Sequence, residues 1–108
     1  MKAAVLNNIN QNLEIENLIQ ESPKENEVKV KINFAGVCAS DAHIMDGSAT
    51  LPKPVVLGHE GSGTIVEVGS NVRNLKPGDR VIMSFVSNCG HCFHCRTGIP
   101  NLCSENLR

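Results

Sequence analysis

The sequence predicts a mainly β domain, a barrel or sandwich, with a metal-stapled loop lobe appended to it. Three observations carry this. Short apolar or alternating runs recur up to Val86, Gly and Pro turns separate them, and beyond Asn88 the periodicity gives way to Cys, Gly, His and Pro.

Taken in order, Lys2 to Leu6 is a short apolar run that reads as a strand. Leu13, Ile15, Leu18 and Ile19 follow in partial alternation. Glu21 to Asn26 is polar and broken by Pro23, which marks a loop. Val28, Val30, Ile32 and Phe34 alternate with Lys29, Lys31 and Asn33, the period of a half-buried strand. Ala35-Gly36 ends it, and Ser40 to Met45 fits a helical turn capped by Ser40 or Asp41. A proline-flanked segment, Leu51 to Pro54, precedes Val55-Val56-Leu57. Gly61-Ser62-Gly63 then opens a strand over Thr64 to Val68. Gly69-Ser70-Asn71 is turn-like, and Lys76-Pro77-Gly78-Asp79 is a stronger turn signal. Arg80 to Val86, rich in β-branched and apolar residues, predicts the last strand.

The 108 residues fit one domain, spanning 1–108. With no Trp, no Tyr and three Phe, its core is expected to be aliphatic. Ten basic and eleven acidic residues leave a net charge of −1, so no basic surface advertises nucleic acid or an anionic membrane. No long apolar run suits a membrane span and no signal-peptide pattern follows Met1, which predicts a cytoplasmic protein. Five cysteines are many for such a chain, and the number is odd. In a reducing compartment they point to metal binding or catalysis rather than to a disulfide framework.

Four of the five crowd together as Cys89-x2-Cys92-x2-Cys95-x7-Cys103. Four thiolates are the donor set of a structural zinc site, closed to substrate. Such a site would order a lobe over residues 88–104 that has little apolar core of its own. Two other readings exist. The first gaps copy the start of a bacterial iron–sulfur pattern, although the last gap is seven and Ser104, not proline, follows Cys103. Two adventitious disulfides are the bland alternative, which the missing export signal disfavours. A c-type haem would need His directly after the Cys pair, where Phe93 and Arg96 stand. His91 and His94 read as exposed loop histidines.

Cys38 stands apart, in Gly36-Val37-Cys38-Ala39-Ser40-Asp41-Ala42-His43. It could be a buried structural thiol, although the polar neighbours Ser40, Asp41 and His43 are odd company for one. It could share a zinc with His59 of Gly58-His59-Glu60, since catalytic zinc takes three protein ligands and water. In that case a carboxylate such as Asp41 would orient the histidine. It could also act as a nucleophile with His59, though nothing marks an oxyanion site.

These residues resemble a known family. Gly58-His59-Glu60-x2-Gly63-x5-Gly69-x2-Val72 is similar to the signature of zinc-dependent alcohol dehydrogenases of the medium-chain dehydrogenase/reductase superfamily. Gly36-Val37-Cys38-x-Ser40-Asp41-x-His43, Lys76-Pro77-Gly78-Asp79-Arg80-Val81 and the four-cysteine lobe agree with it, in the family's order and over nearly the whole chain. The overall look is closest to the NAD-dependent class III or aryl-alcohol branch.

The resemblance implies a GroES-like β-barrel with short helical turns, holding a catalytic zinc through Cys38 and His59. Glu60 would lie beside the metal, as an alternate ligand or an electrostatic modulator. Ser40 would accept the proton of the alcohol and His43 would pass it to solvent, with Asp41 holding the second nitrogen of His59. Cys89, Cys92, Cys95 and Cys103 would carry a structural zinc. The substrate would be a small alcohol or aldehyde and the cofactor NAD or NADP. Two family parts are expected past Arg108: the third catalytic ligand and the dinucleotide-binding Rossmann domain. Gly58, Gly61 and Gly63 run in the reverse order of the nucleotide fingerprint and receive no such role. Ala39 stands where some members carry a cationic or imidazole group toward the cofactor, so that role does not transfer. The chain is therefore expected to be a portion of an oxidoreductase that binds zinc without turnover by itself. An iron–sulfur electron-transfer module is the alternative. An exposed cleft face is expected to invite self-association.

Overall fold

A computed structural model describes residues 1–105; positions 106–108 of the expected 1–108 domain lie outside the described residues. Six strands dominate: β1 (Lys2–Leu6), β2 (Glu14–Asn17), β3 (Val28–Ala35), β4 (Val55–Val56), β5 (Gly61–Val68) and β6 (Arg80–Ile82). Two short helices, α1 (Ala39–Asp46) and α2 (Phe93–Arg96), and a 3-10 turn over Pro100–Leu102 complete the described residues. Among the described residues no helix is long and apolar enough to cross a membrane.

The mainly β expectation holds, with strands arranged as two three-stranded antiparallel sheets, ordered β2-β1-β4 and β3-β5-β6. No ladder joins the two sheets among the described residues, so they do not close into one hydrogen-bonded barrel. The two-residue β4 and three-residue β6 are too short to carry pairing around a ring. All described strand pairs are antiparallel, so Gly61 and Gly63 belong to β5 and no βαβ unit surrounds them.

The core is small and aliphatic, as the composition predicts. Ala3, Val5 and Leu6 of β1 are buried with Ile65 of β5, while all three phenylalanines are exposed. Alternation along β3 predicts an inward row of Val28, Val30, Ile32 and Phe34, and the structure corrects its last half. Ile32 is 46% and Phe34 78% exposed. The strand pairs properly with β5 through two register shifts, but among the described residues no layer covers its end. That uncovered end faces a cleft.

Two other boundaries differ from the expectation. The last strand stops at Ile82 instead of Val86 because its partner β5 begins at Gly61. Ile82 pairs with Ser62 and the Met83 N–H reaches the Gly61 carbonyl, after which there is no strand left to bond. Beyond it, the Ser84 hydroxyl donates to the Val86 carbonyl across a bend. The cap of α1 is neither Ser40 nor Asp41 but Cys38, in extended conformation. Asp41 sits in the third helical position and reaches back, its Oδ2 accepting the Cys38 N–H at 3.1 Å. The expected turn over Lys76 to Asp79 is present, closed by the Asp79 N–H on the Lys76 carbonyl and by the Asp79 carboxylate on the Lys76 N–H.

Candidate metal centres

Two groups of metal-ligating side chains assemble among the described residues, and both come from the segments the sequence singles out. The first is local. Cys89, Cys92, Cys95 and Cys103 place their sulfurs within 4.8 Å of one another, with 4.0 Å between the Cys89 and Cys95 sulfurs. Backbone makes this possible. Gly90 and Gly98 take φ of 76° and 84°, a left-handed conformation that reverses the chain between ligands. The short α2 begins at Cys92, its cap, and carries Cys95.

Peptide N–H groups point at the sulfurs: Cys92 N–H donates to Cys89 Sγ at 3.3 Å, and Cys89 N–H to Cys103 Sγ at 3.4 Å. Such donors stabilise thiolates. Cys92, facing the backbone N–H groups of Cys95 and Ser104, has its pKa pulled down to about 6. Cys95, desolvated within the cluster, has its pKa pushed up to about 11. A four-sulfur set that draws peptide donors fits a tetrahedral zinc. Cys103 is the one buried hydrophobic side chain of the lobe, so packing alone supplies little there.

His91 is exposed, as expected, its Nδ1 2.9 Å from the Cys89 carbonyl. His94 departs from the expectation. It is half-buried on α2 with Nδ1 3.1 Å from Ser104 Oγ, because the helical turn swings it toward the end of the lobe.

The second group is long-range. Cys38 caps α1, while His59 and Glu60 come from the loop before β5, and the Gly36 N–H bond to the Glu60 carbonyl draws the two together. Donor atoms of Cys38, His59 and Glu60 lie within 4.8 Å of one another. Ser40 Oγ is 3.3 Å from His59 Nε2, and Asp41 Oδ1 is 3.5 Å from His59 Nδ1. That Asp41 oxygen is buried and makes no hydrogen bond among the described residues, and it faces the His59 ring.

Electrostatics tie the group together. The Ser40 hydroxyl and N–H, then His59, hold the Cys38 thiol below its ordinary range. The hydrogen bond with Cys38, helped by the Asp41 charge, raises the His59 imidazole above its own. Sulfur, imidazole and carboxylate converging on one point, with the far imidazole nitrogen facing a carboxylate, are the donor chemistry of a catalytic zinc.

Cavities flank this group. A cleft of about 760 Å³ is lined by Phe34, Cys38, His59, Glu60, Met83 and Phe85. A second, mostly apolar cavity of about 360 Å³ brings Ser40 and His43 together with Leu57, His59 and Phe85. His43 itself is exposed on α1. Phe85 carries no signal of its own in the sequence, where it reads as one more strand residue. Its ring lies 4.7 Å from the His59 ring at 57°, forming a wall between both cavities.

Residues 24–108 match the family model of the alcohol dehydrogenase GroES-like domain. An NDMA-dependent alcohol dehydrogenase of Amycolatopsis methanolica is 48% identical over 102 residues, which is 94% of this chain and 28% of that protein. Among solved structures, an alcohol dehydrogenase zinc-binding domain protein from Burkholderia ambifaria superposes with a TM-score of 0.91 at 35% identity, covering 98% of this chain and 28% of the other. Benzyl alcohol dehydrogenase from Acinetobacter calcoaceticus gives 0.90 at 40% identity, covering 98% and 29%. The chain thus spans less than a third of the length of these relatives.

Proposed function

Because this chain belongs to the alcohol dehydrogenase GroES-like domain family, we propose that it forms the catalytic-domain portion of a zinc-dependent alcohol dehydrogenase. The enzyme would interconvert a small alcohol and its aldehyde or ketone with NAD or NADP. One observation carries the reading: Cys38, His59 and Glu60 converge, with Ser40 on the Nε2 side of His59 and Asp41 on its Nδ1 side.

Cys38 and His59 would hold the catalytic zinc and Glu60 would lie beside it; Cys89, Cys92, Cys95 and Cys103 would hold the structural one. When bound in the assembled enzyme, the catalytic zinc would supply Lewis acidity at the alcohol oxygen and the nicotinamide cofactor would supply the hydride acceptor. The protein side chains do the rest. Asp41 Oδ1, 3.5 Å from Nδ1, favours by its charge the His59 tautomer protonated on that nitrogen, which would leave Nε2 as the donor atom. Ser40 Oγ would receive the proton of the alcohol as it passes its own hydroxyl proton on toward His43. His43 lies three residues further along α1, hence on the same helical face, and lines the same cavity, from which it hands the proton to solvent. The apolar walls, Leu57 and Phe85 among them, shed water from the alcohol's carbon side. No disulfide links any of the five cysteines, consistent with metal binding in a reducing compartment.

Metal analysis tests this. The purified chain is expected to hold one tightly bound zinc in the lobe and a second, weaker equivalent that Cys38→Ser removes. With no dinucleotide fold among the described residues, these 108 residues are expected to give no alcohol-dependent NADH. Iron with visible absorption in the lobe, or zinc occupancy indifferent to both Cys38→Ser and Cys103→Ser, would overturn the reading.

A further inference from the structure

Gly36 stands where the chain leaves β3, and nothing in its backbone calls for glycine. It is not among the residues of positive φ, so an L side chain could adopt its conformation. What it supplies is space. A Cβ built on Gly36 would overlap Glu60 Oε2 and lie 3.1 Å from Glu60 Cβ. The two backbones cannot part to admit it: the Gly36 N–H donates to the Glu60 carbonyl at 2.8 Å, and Ala35 pairs with Gly61 in the ladder. The Glu60 carboxylate is the far end of a flexible side chain, so it is the group that would swing away, while the Glu60 Cβ need give by only a few tenths of an ångström.

That carboxylate is also the third donor of the Cys38–His59–Glu60 group. We propose that Gly36 is a positioning residue, whose missing side chain keeps open the lane through which the Glu60 carboxylate reaches Cys38 and His59. This rests on the reading of that group as a metal site. A methyl at position 36 would turn the carboxylate out of the group while leaving Cys38, His59 and the strand pairing in place.

The test uses the full chain with its lobe filled by one equivalent of zinc, titrated with Co²⁺ and read by visible d–d and thiolate charge-transfer bands. Gly36→Ala is expected to weaken Co²⁺ binding roughly ten- to a hundredfold, the range typical of groups that orient metal ligands. Glu60→Ala should weaken it as much, and both variants should keep the lobe zinc. In the Glu60→Ala background, adding Gly36→Ala should change Co²⁺ affinity within about twofold, since the group it displaces is gone. Equal losses in both backgrounds would assign Gly36 a backbone role and overturn the proposal, as would unaltered binding in a folded Gly36→Ala chain. If Gly36→Ala lowers the unfolding temperature, recovery in a Gly36→Ala/Glu60→Gly pair relative to Glu60→Gly alone, where the Glu60 Cβ is gone as well, supports the proposal and no recovery overturns it. A wild-type cobalt spectrum indifferent to Cys38→Ser would sink the metal-site reading itself, and the proposal with it.

Discussion

Asp41 faces His59 across 3.5 Å, Oδ1 to Nδ1, while its other oxygen accepts the Cys38 N–H at 3.1 Å. One carboxylate therefore ties the start of α1 to the loop before β5, and bonds the backbone of one proposed metal ligand while facing the ring of the other. Asp41→Ala removes both functions. We expect a loss of about 1 kcal/mol of stability for the bond at the helix start and roughly tenfold weaker metal binding at Cys38 and His59. Asp41→Asn keeps an acceptor for Cys38 and should recover most of the stability without the metal affinity. Chemical unfolding beside a cobalt titration separates the two effects, and parallel recovery of both would contradict the division of labour.

The lobe should depend on its metal more than any other part. Its only buried hydrophobic side chain is Cys103, and the core formed by Ala3, Val5, Leu6 and Ile65 lies elsewhere. Cys103→Ser is expected to lower the zinc content by one equivalent and to open residues 88–104 to protease. Chelation of the wild-type chain should do the same, with the β-sheet circular dichroism signal retained. A lobe that stays protease-resistant after chelation would show that packing, not metal, orders it.

The pH dependence of lobe metal binding follows from the thiols. Binding requires thiolates, so every sulfur still protonated in the free lobe must release its proton. Cys95, pushed up to about 11, carries its proton throughout the neutral range. Cys92, pulled down to about 6, carries one only below that pH. Apparent affinity should therefore fall as pH falls, Cys95 contributing about tenfold per unit through neutrality. Below pH of about 6, Cys92 adds a second factor of similar size. Competition with a chromophoric chelator across pH 5 to 8 measures the slope, and a slope that does not steepen on the acid side would contradict the assignment of Cys92.

The uncovered end of β3 should make the isolated chain adhesive. Phe34 is 78%, Ile82 84% and Phe85 72% exposed around one cleft. Contiguous apolar surface of this kind drives association in water. Light scattering should show mass rising with concentration, and Phe34→Ser should shift it toward the monomer. A concentration-independent monomer mass for the wild-type chain would refute this.

Much of the architecture is legible in the residues. The run Lys2 to Leu6 matches β1 end to end, and the proline–glycine turn at Lys76 to Asp79 forms as its residues demand. The four-cysteine spacing assembles one cluster. Other features resist reading because they depend on distant partners. Phe34 follows the alternation of a half-buried strand, yet stands in solvent because no layer packs over it. Val81 and Ile82 belong to β6 while Phe85 does not, a boundary set by where β5 begins. Gly36 looks like a strand terminator until Glu60 is seen in the place of its side chain.

The sequence by itself determined the lobe, since ligands spaced two and seven residues apart must meet once the intervening chain turns, whatever surrounds them. It also determined the strand periods and the candidates Cys38 and His59, whose chemistry is a property of residue type. The tertiary structure alone decided that Cys38 caps α1, that Asp41 serves both Cys38 and His59, and that Phe85 lies tilted against the imidazole. The physical reason is range. Turn and strand propensities act over a few residues, whereas the convergence of positions 36 to 41 with 59, 60 and 85 is fixed by the β3–β5–β6 register and by what that register leaves uncovered.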